Sequence, residues 1–280
     1  MEIIIAENAG FCFGVKRALD LAVRAAEEAA PPVHTLGALI HNPQEVARLE
    51  ARGVHQVESL DDVPAGTVLL SAHGVDPAVE EEARARNLQV IDATCPFVTR
   101  AHADIRKLAA EGYAVVILGD PGHREVAGLA ARAEGKATIL TGAAEAQALP
   151  FGGRYGLVVQ TTQRPETLRD VAGVLAERSR ELRVFNTICE ATMKRQESAH
   201  DLAVEVEVMI VVGGRNSANT ARLREICAAT GTPTYHIETA DELDPTWIAN
   251  ASRVGVTAGA STPDWIVEAV AARLREMGGG

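Results

Sequence analysis

The feature that most constrains this chain is a threefold repeat in which a cysteine stands where a strand gives way to a helix. Cys12 follows the run Ile3-Ile4-Ile5-Ala6 and opens Cys12-Phe13-Gly14-Val15-Lys16-Arg17. Cys95 follows Val90-Ile91-Asp92-Ala93-Thr94 and opens Cys95-Pro96-Phe97-Val98-Thr99-Arg100. Cys189 follows Val184-Phe185-Asn186-Thr187-Ile188, with Lys194-Arg195 close behind. Steps of 83 and 94 residues separate the three cysteines, so each third of the 280-residue chain carries one. Internal repetition on this scale implies repeated structural units. Three thiols at equivalent junctions suit three lobes that aim three ligands at one centre.

Each copy continues in the same order. An amphipathic helix follows the cysteine. In the first copy Val15, Ala18, Leu19, Ala22, Val23 and Ala26 keep helical spacing until Pro31-Pro32. The second copy predicts a helix from Phe97 to about Glu111, and the third from about Thr192 to Val204. An aliphatic strand then ends at Gly37, Gly119 or Gly213. A polar loop opens a second helix at His41-Asn42-Pro43, His123-Arg124-Glu125 or Ser217-Ala218-Asn219. Asn42, Pro43 and Glu45 read as cap, first-turn proline and N3 acid. His41, His123 and Ser217 lie 29, 28 and 28 residues past their cysteines. A further strand ends at Ser71-Ala72-His73-Gly74, Gln160-Thr161-Thr162 or Gly259-Ala260-Ser261. The first two copies add one more strand before the next cysteine, and the third does not. The segment Glu2–Ala6 is expected to supply it.

Aliphatic strands alternating with helices predict an α/β fold of three pseudo-symmetric αβα lobes with mostly parallel sheets, arranged as a trefoil around a central cleft. The expected lobes are 12–94, 95–188, and 189–280 with 1–11. In parallel sheets ligands bind beyond the carboxyl ends of the strands, and the cysteines and polar loop residues lie at such ends. The net charge of −11 argues against nucleic-acid or anionic-membrane partners. The chain shows neither a basic-then-apolar leader nor an apolar run near 18 residues, so a cytoplasmic protein is expected. In a reducing cytosol its cysteines favour metal binding or catalysis over disulfides.

Three thiolates would leave one iron of a [4Fe–4S] cluster without a protein ligand, whereas such clusters usually have four. Zinc held by three cysteines and water is the other metal reading. Cys227 lies inside a helical stretch and reads as core filler, as do His34, His55, His102 and His236 as core or surface residues. His41 and His123 open helices, where backbone N–H groups favour anions. With His73, Ser217, Asn219 and Ser261 they would make a phosphate or diphosphate pocket that needs few lysines. Glu125, two residues past His123, would be repelled by a bound diphosphate when ionised, which suits a proton donor. Thr161 and Thr162 relay a proton or end a strand. Lys16, Arg17, Arg100, Lys194 and Arg195 neutralise an anionic centre or sit on the surface.

The segments Ala9–Val15, Ile40–Asn42, Ser71–Gly74, Asp92–Pro96, Gly122–Val126, Gln160–Thr162, Thr187–Cys189, Arg195-Gln196 and Thr257–Ser261 occur in one order along the chain. In that order the chain closely resembles the LytB/IspH family of 4-hydroxy-3-methylbut-2-enyl diphosphate reductases. The resemblance implies the last step of the methylerythritol phosphate route to isoprenoids. It implies that Cys12, Cys95 and Cys189 hold a [4Fe–4S] cluster with one open iron. It further implies that His41, His73, His123, Ser217, Asn219 and Ser261 bind the substrate diphosphate, that Glu125 is the proton source, and that Thr161 lies near the substrate hydroxyl. A ferredoxin or flavodoxin would supply electrons, and a bacterial-type form is expected. Ala218 departs from the family, whose members often carry serine there, which puts one diphosphate contact in question. Quinolinate synthase and the diphthamide-forming enzymes also place one cysteine in each of three lobes, and the diphosphate loops argue against them. An iron–sulfur sensor would turn nothing over, and a zinc hydrolase would be insensitive to air.

Overall fold

The computed structural model describes residues 1–278. In chain order the elements are β1 (Glu2–Ile5), α1 (Phe13–Glu28), β2 (Val33–Leu36), α2 (Pro43–Glu50), β3 (Val54–Val57), β4 (Thr67–Leu70), α3 (Pro77–Ala85) and β5 (Gln89–Asp92). Then come α4 (Pro96–Ala110), β6 (Ala114–Leu118), α5 (Arg124–Ala131), β7 (Thr138–Leu140), α6 (Ala143–Ala146), β8 (Gly153–Val159), α7 (Pro165–Arg178) and β9 (Ser179–Phe185). The last third holds α8 (Glu190–Glu205), β10 (Val208–Val212), α9 (Ala218–Ala229), β11 (Thr234–Ile237), β12 (Arg253–Ala258) and α10 (Asp264–Gly278).

The strands form three sheets of one design. Their orders are β3-β2-β4-β5, β7-β6-β8-β9 and β11-β10-β12-β1. Neighbouring strands are parallel in all three. The inner strands β2, β4 and β10 are buried along their whole length, as expected for sheets covered on both faces. β1 takes the edge place in the third sheet that β5 and β9 take in the others, pairing Ile3 with Val254 and Ile5 with Val256. The N-terminal run thus supplies the strand that the third copy lacks. Each cysteine of the repeat follows the edge strand at this place: β1 leads to Cys12, β5 to Cys95 and β9 to Cys189.

The chain divides into two compact units. One consists of residues up to Val15, the segment His41–Glu45 and the chain from Glu190 onward. It contains the third sheet, with an aliphatic core of Val208, Ile210, Val212, Val254, Val256 and Leu274 on one face. The other consists of Lys16–Ile40 and Val46–Cys189 and contains the first two sheets. Its second sheet packs Ile117 and Val158 against Ala101, Ile105 and Leu108 of α4 and Leu129 of α5. No helix among the described residues is long and apolar enough to cross a membrane.

Candidate functional site

The repeat that is visible in sequence is matched bond for bond in the backbone. The amide of Cys12 donates to the carbonyl of Ala260 at 3.0 Å, that of Cys95 to Ala72 at 3.0 Å, and that of Cys189 to Thr161 at 3.1 Å. Each acceptor lies two residues beyond the strand that pairs with the edge strand. The turns that carry these acceptors are equivalent too, closed by Thr262 N to Gly259 O, Gly74 N to Ser71 O and Gln163 N to Gln160 O, each at 3.0 Å. The polar tips of the sequence repeat are therefore set against the cysteine backbone by one recurring device. None of the three cysteines is in a disulfide, and all are half-buried. Cys227 is different. It is buried in the core with Leu223 and Met209, and burial pushes its thiol up to about 12.

Two arginines of the repeat act on these loops, which neither sequence reading of them stated. Arg17, on α1, donates to Thr94 O at 3.1 Å and Asp92 O at 3.4 Å, the carbonyls leading into Cys95. Arg195, on α8, is buried and donates to Gly10 O at 2.8 Å, two residues before Cys12. Gly10 adopts a φ of +93°, and a Cβ there would meet Asp264 Oδ1 at 3.0 Å, so glycine lets this loop lie close to the start of α10.

In the unit of the third sheet, the candidate anion-binding residues gather at the starts of α2 and α9. Ser261 Oγ donates to His41 O at 2.9 Å. The cap read from the sequence is present, with Asn42 Oδ1 accepting from Glu45 N at 2.9 Å. The Glu45 carboxylate in turn accepts from Trp265 Nε1 at 2.9 Å, a contact across 220 residues that no local pattern announces. Ser217 caps α9 by accepting from Thr220 N. Asn219 is 4% exposed, and neither atom of its side-chain amide has a hydrogen-bond partner among the described residues. An unsatisfied buried amide at a helix N-terminus is poised for a ligand that it can donate to. Ala218 is the first residue of α9, and its side chain brings no donor of its own.

In the other unit, His123 and Glu125 begin α5, and His73 lies after β4. His123 Nδ1 accepts from Glu125 N at 3.1 Å, which leaves the neutral ring's proton on Nε2. The His73 and His123 rings meet edge to face with centroids 5.4 Å apart. Glu125 is 2% exposed and grips Thr161 with both oxygens: Thr161 N donates to Oε1 at 2.6 Å and Thr161 Oγ1 lies 2.8 Å from Oε2. Thr161 O is also the acceptor for the Cys189 amide, so Glu125 and Cys189 are tied together through Thr161. Within this unit the structure brings His73 to His123 and Glu125 to Thr161. Thr162 is bonded to Gln160 Nε2 instead.

A family model described as LytB protein matches residues 3–275. The chain belongs to the LytB family. Among LytB relatives, 4-hydroxy-3-methylbut-2-enyl diphosphate reductase of Geobacter sulfurreducens is 50% identical over 277 residues, covering 99% of this chain and 98% of its own. The enzyme of that name from Aquifex aeolicus is 46% identical over 280 residues, covering 99% and 97%. A solved structure of (E)-4-hydroxy-3-methyl-but-2-enyl diphosphate reductase, the terminal enzyme of the non-mevalonate pathway, is 47% identical, with a TM-score of 0.71 and coverage of 99% of this chain and all of that one. The reductase structure from Plasmodium falciparum is 27% identical with a TM-score of 0.91, covering 95% of this chain and 86% of its own.

Proposed function

We propose that this chain is an iron–sulfur oxidoreductase that removes the hydroxyl of 4-hydroxy-3-methylbut-2-enyl diphosphate, yielding isopentenyl and dimethylallyl diphosphate in the last step of the methylerythritol phosphate pathway. The observation that carries the reading is the matched presentation of Cys12, Cys95 and Cys189, each hung by its own amide from an equivalent turn. Three half-buried thiols outside any disulfide fit a [4Fe–4S] cluster with three cysteine ligands, and the buried Cys227 does not belong to that set. When bound, the cluster supplies single electrons and an iron with no protein ligand that serves as a Lewis acid.

The chain's own residues do the rest. Lobes 12–94, 95–188, and 189–280 with 1–11 contribute one cysteine each. His41, His73, His123, Ser217, Asn219 and Ser261 hold the diphosphate by donating to it, Ser261 by turning its hydroxyl from the His41 carbonyl, and each hydrogen bond to a charged group is worth about 1.5–3 kcal/mol. Asn219 gains partners for its orphaned amide in doing so. Glu125 gives its proton to the departing hydroxyl, so that water leaves rather than hydroxide. Thr161 fixes the carboxyl by its amide and carries a hydroxyl toward the same oxygen pair. A ferredoxin or flavodoxin delivers electrons. Thiols that must stay reduced support a cytoplasmic location.

The test is anaerobic purification with iron and sulfide analysis, followed by turnover of the allylic diphosphate with a chemical reductant. About four irons and four sulfides per chain, with release of both products, are expected. Iron-poor protein, or iron-replete protein that leaves the substrate intact, would overturn the reading.

A further inference from the structure

A cavity of about 570 Å³ lies at the far ends of α4 and α5, away from Cys95 and His123 at their beginnings. Arg106, Arg132 and Lys136 line it with one acid, Glu134, and with apolar side chains, among them Ala109, Val115 and Ala133. No step of the proposed reaction uses it.

Its three cations face a single lining acid, Glu134, so its positive charge is only partly offset by the protein. Arg132 is half-buried, and its NH1 donates to two carbonyls, Val75 O and Gly128 O, both at 2.7 Å. Its Nε is buried with no hydrogen-bond partner. Among the described residues neither Arg132 nor Arg106 is in a salt bridge, while Lys136 meets its neighbour Glu134 at 3.5 Å in solvent. Burial and repulsion from Arg106 hold the Arg132 guanidinium below its ordinary range, and Asp76, Glu80 and Asp92 only partly oppose this. Removing a cation from water beside a second cation is unfavourable unless an anion answers both. In a chain of net charge −11, such a site is a local exception.

We propose that this cavity binds a small organic phosphate, with Arg106, Arg132 and Lys136 on the phosphate group and the alanine and valine side chains against its apolar body. Guanidinium pairs favour phosphate because their planar donors match its oxygens. Arg132 also connects the cavity to the turn after β4. It holds Val75 O, while Gly74 lies so close to His102 that a Cβ there would be 2.5 Å from the ring. An occupied cavity therefore steadies the turn His73-Gly74-Val75.

Calorimetric titration of anaerobically prepared full-length protein with phenyl phosphate tests the proposal. The comparison variant is Arg106→Glu/Lys136→Glu, whose changed side chains are both exposed, with circular dichroism to check the fold. The wild type should show a binding event that the variant loses or weakens at least about tenfold, since losing one charged hydrogen bond already costs that much. Asn219→Ala should leave the event intact, and inorganic phosphate should bind more weakly than phenyl phosphate. Equal isotherms for wild type and double variant, loss of binding in Asn219→Ala instead, or equal affinity for the two probes would overturn the proposal. Hydrogen exchange at Gly74 and Val75 should slow on addition of phenyl phosphate to the wild type only, and unchanged exchange would overturn the link to His73.

Discussion

Glu125 and Thr161 offer a pair of substitutions that separates structure from chemistry. In Glu125→Ala the Thr161 N–H and hydroxyl, now held at 2.6 and 2.8 Å, lose their acceptor in a region where Thr161 is 6% exposed. A stranded buried donor costs about 1–3 kcal/mol, so the variant should lose on the order of 2–6 kcal/mol of stability, less if the hydroxyl turns to another acceptor. Glu125→Gln keeps both contacts. Its amide oxygen accepts from Thr161 N–H and its NH2 donates to Thr161 Oγ1, so mainly the strengthening by charge is lost, about 1–2 kcal/mol. Neither variant has a carboxyl proton to give, so turnover should fall in both by about 10²–10⁴. Glu125→Gln should still bind substrate. Thermal or urea unfolding measured beside anaerobic turnover gives the signature: similar kinetic loss, unequal stability. Near-normal turnover of Glu125→Gln would remove Glu125 as proton donor. Equal stability of the two variants would refute the reasoning about the buried two-point contact.

Asn219→Ala removes a buried amide that has no protein partner, so it should leave stability unchanged or slightly raised while raising KM for the diphosphate about tenfold or more; a clear loss of stability would contradict this. Gly74→Ala meets both a φ of +77° and the His102 ring, and should lower the melting temperature by an amount worth about 1–3 kcal/mol, which a melt as stable as wild type would exclude. His102 is held neutral by burial and by Arg132 and Arg106, its pKa falling from 6.5 to about 3. Below 6.5 the unfolded chain takes up a proton that the folded chain refuses, so stability should fall toward pH 3 by at most about 1.4 kcal/mol per pH unit from this group. Urea unfolding from pH 7 to pH 4 should show that slope, and His102→Gln should flatten it; identical slopes would rule His102 out. Serine at Cys12, Cys95 or Cys189 should strip iron from the anaerobic protein, whereas Cys227→Ala should retain it and lose only packing, as iron analysis can check.

The repeated framework of the candidate site is legible in sequence because repetition is a sequence property. The equal offsets from cysteine to polar loop announced three similar lobes, and β1 joined the sheet that lacked a strand. Asn42 was readable as a cap because its partner is three residues away. Arg17 and Arg195 have two roles open to them in sequence because their acceptors are 77 and 185 residues distant, and only helix placement brings them to Thr94 and Gly10. The same holds for Glu45, whose partner Trp265 is invisible from its own helix. The basic cavity is not legible in sequence: Arg106, Arg132 and Lys136 look like surface charges on separate elements until α4 and α5 align their ends.

By itself the sequence determined the strand–cysteine–helix order, the parallel sheets that such alternation requires, and the residue types at each strand end, because hydrophobic period and turn chemistry are local. Tertiary structure alone decided which carbonyl each cysteine amide and each arginine would meet, and which charges would be left without a counter-ion. Those outcomes depend on packing between segments far apart in the chain, where a hydrogen bond is made or lost by shifts of about an ångström.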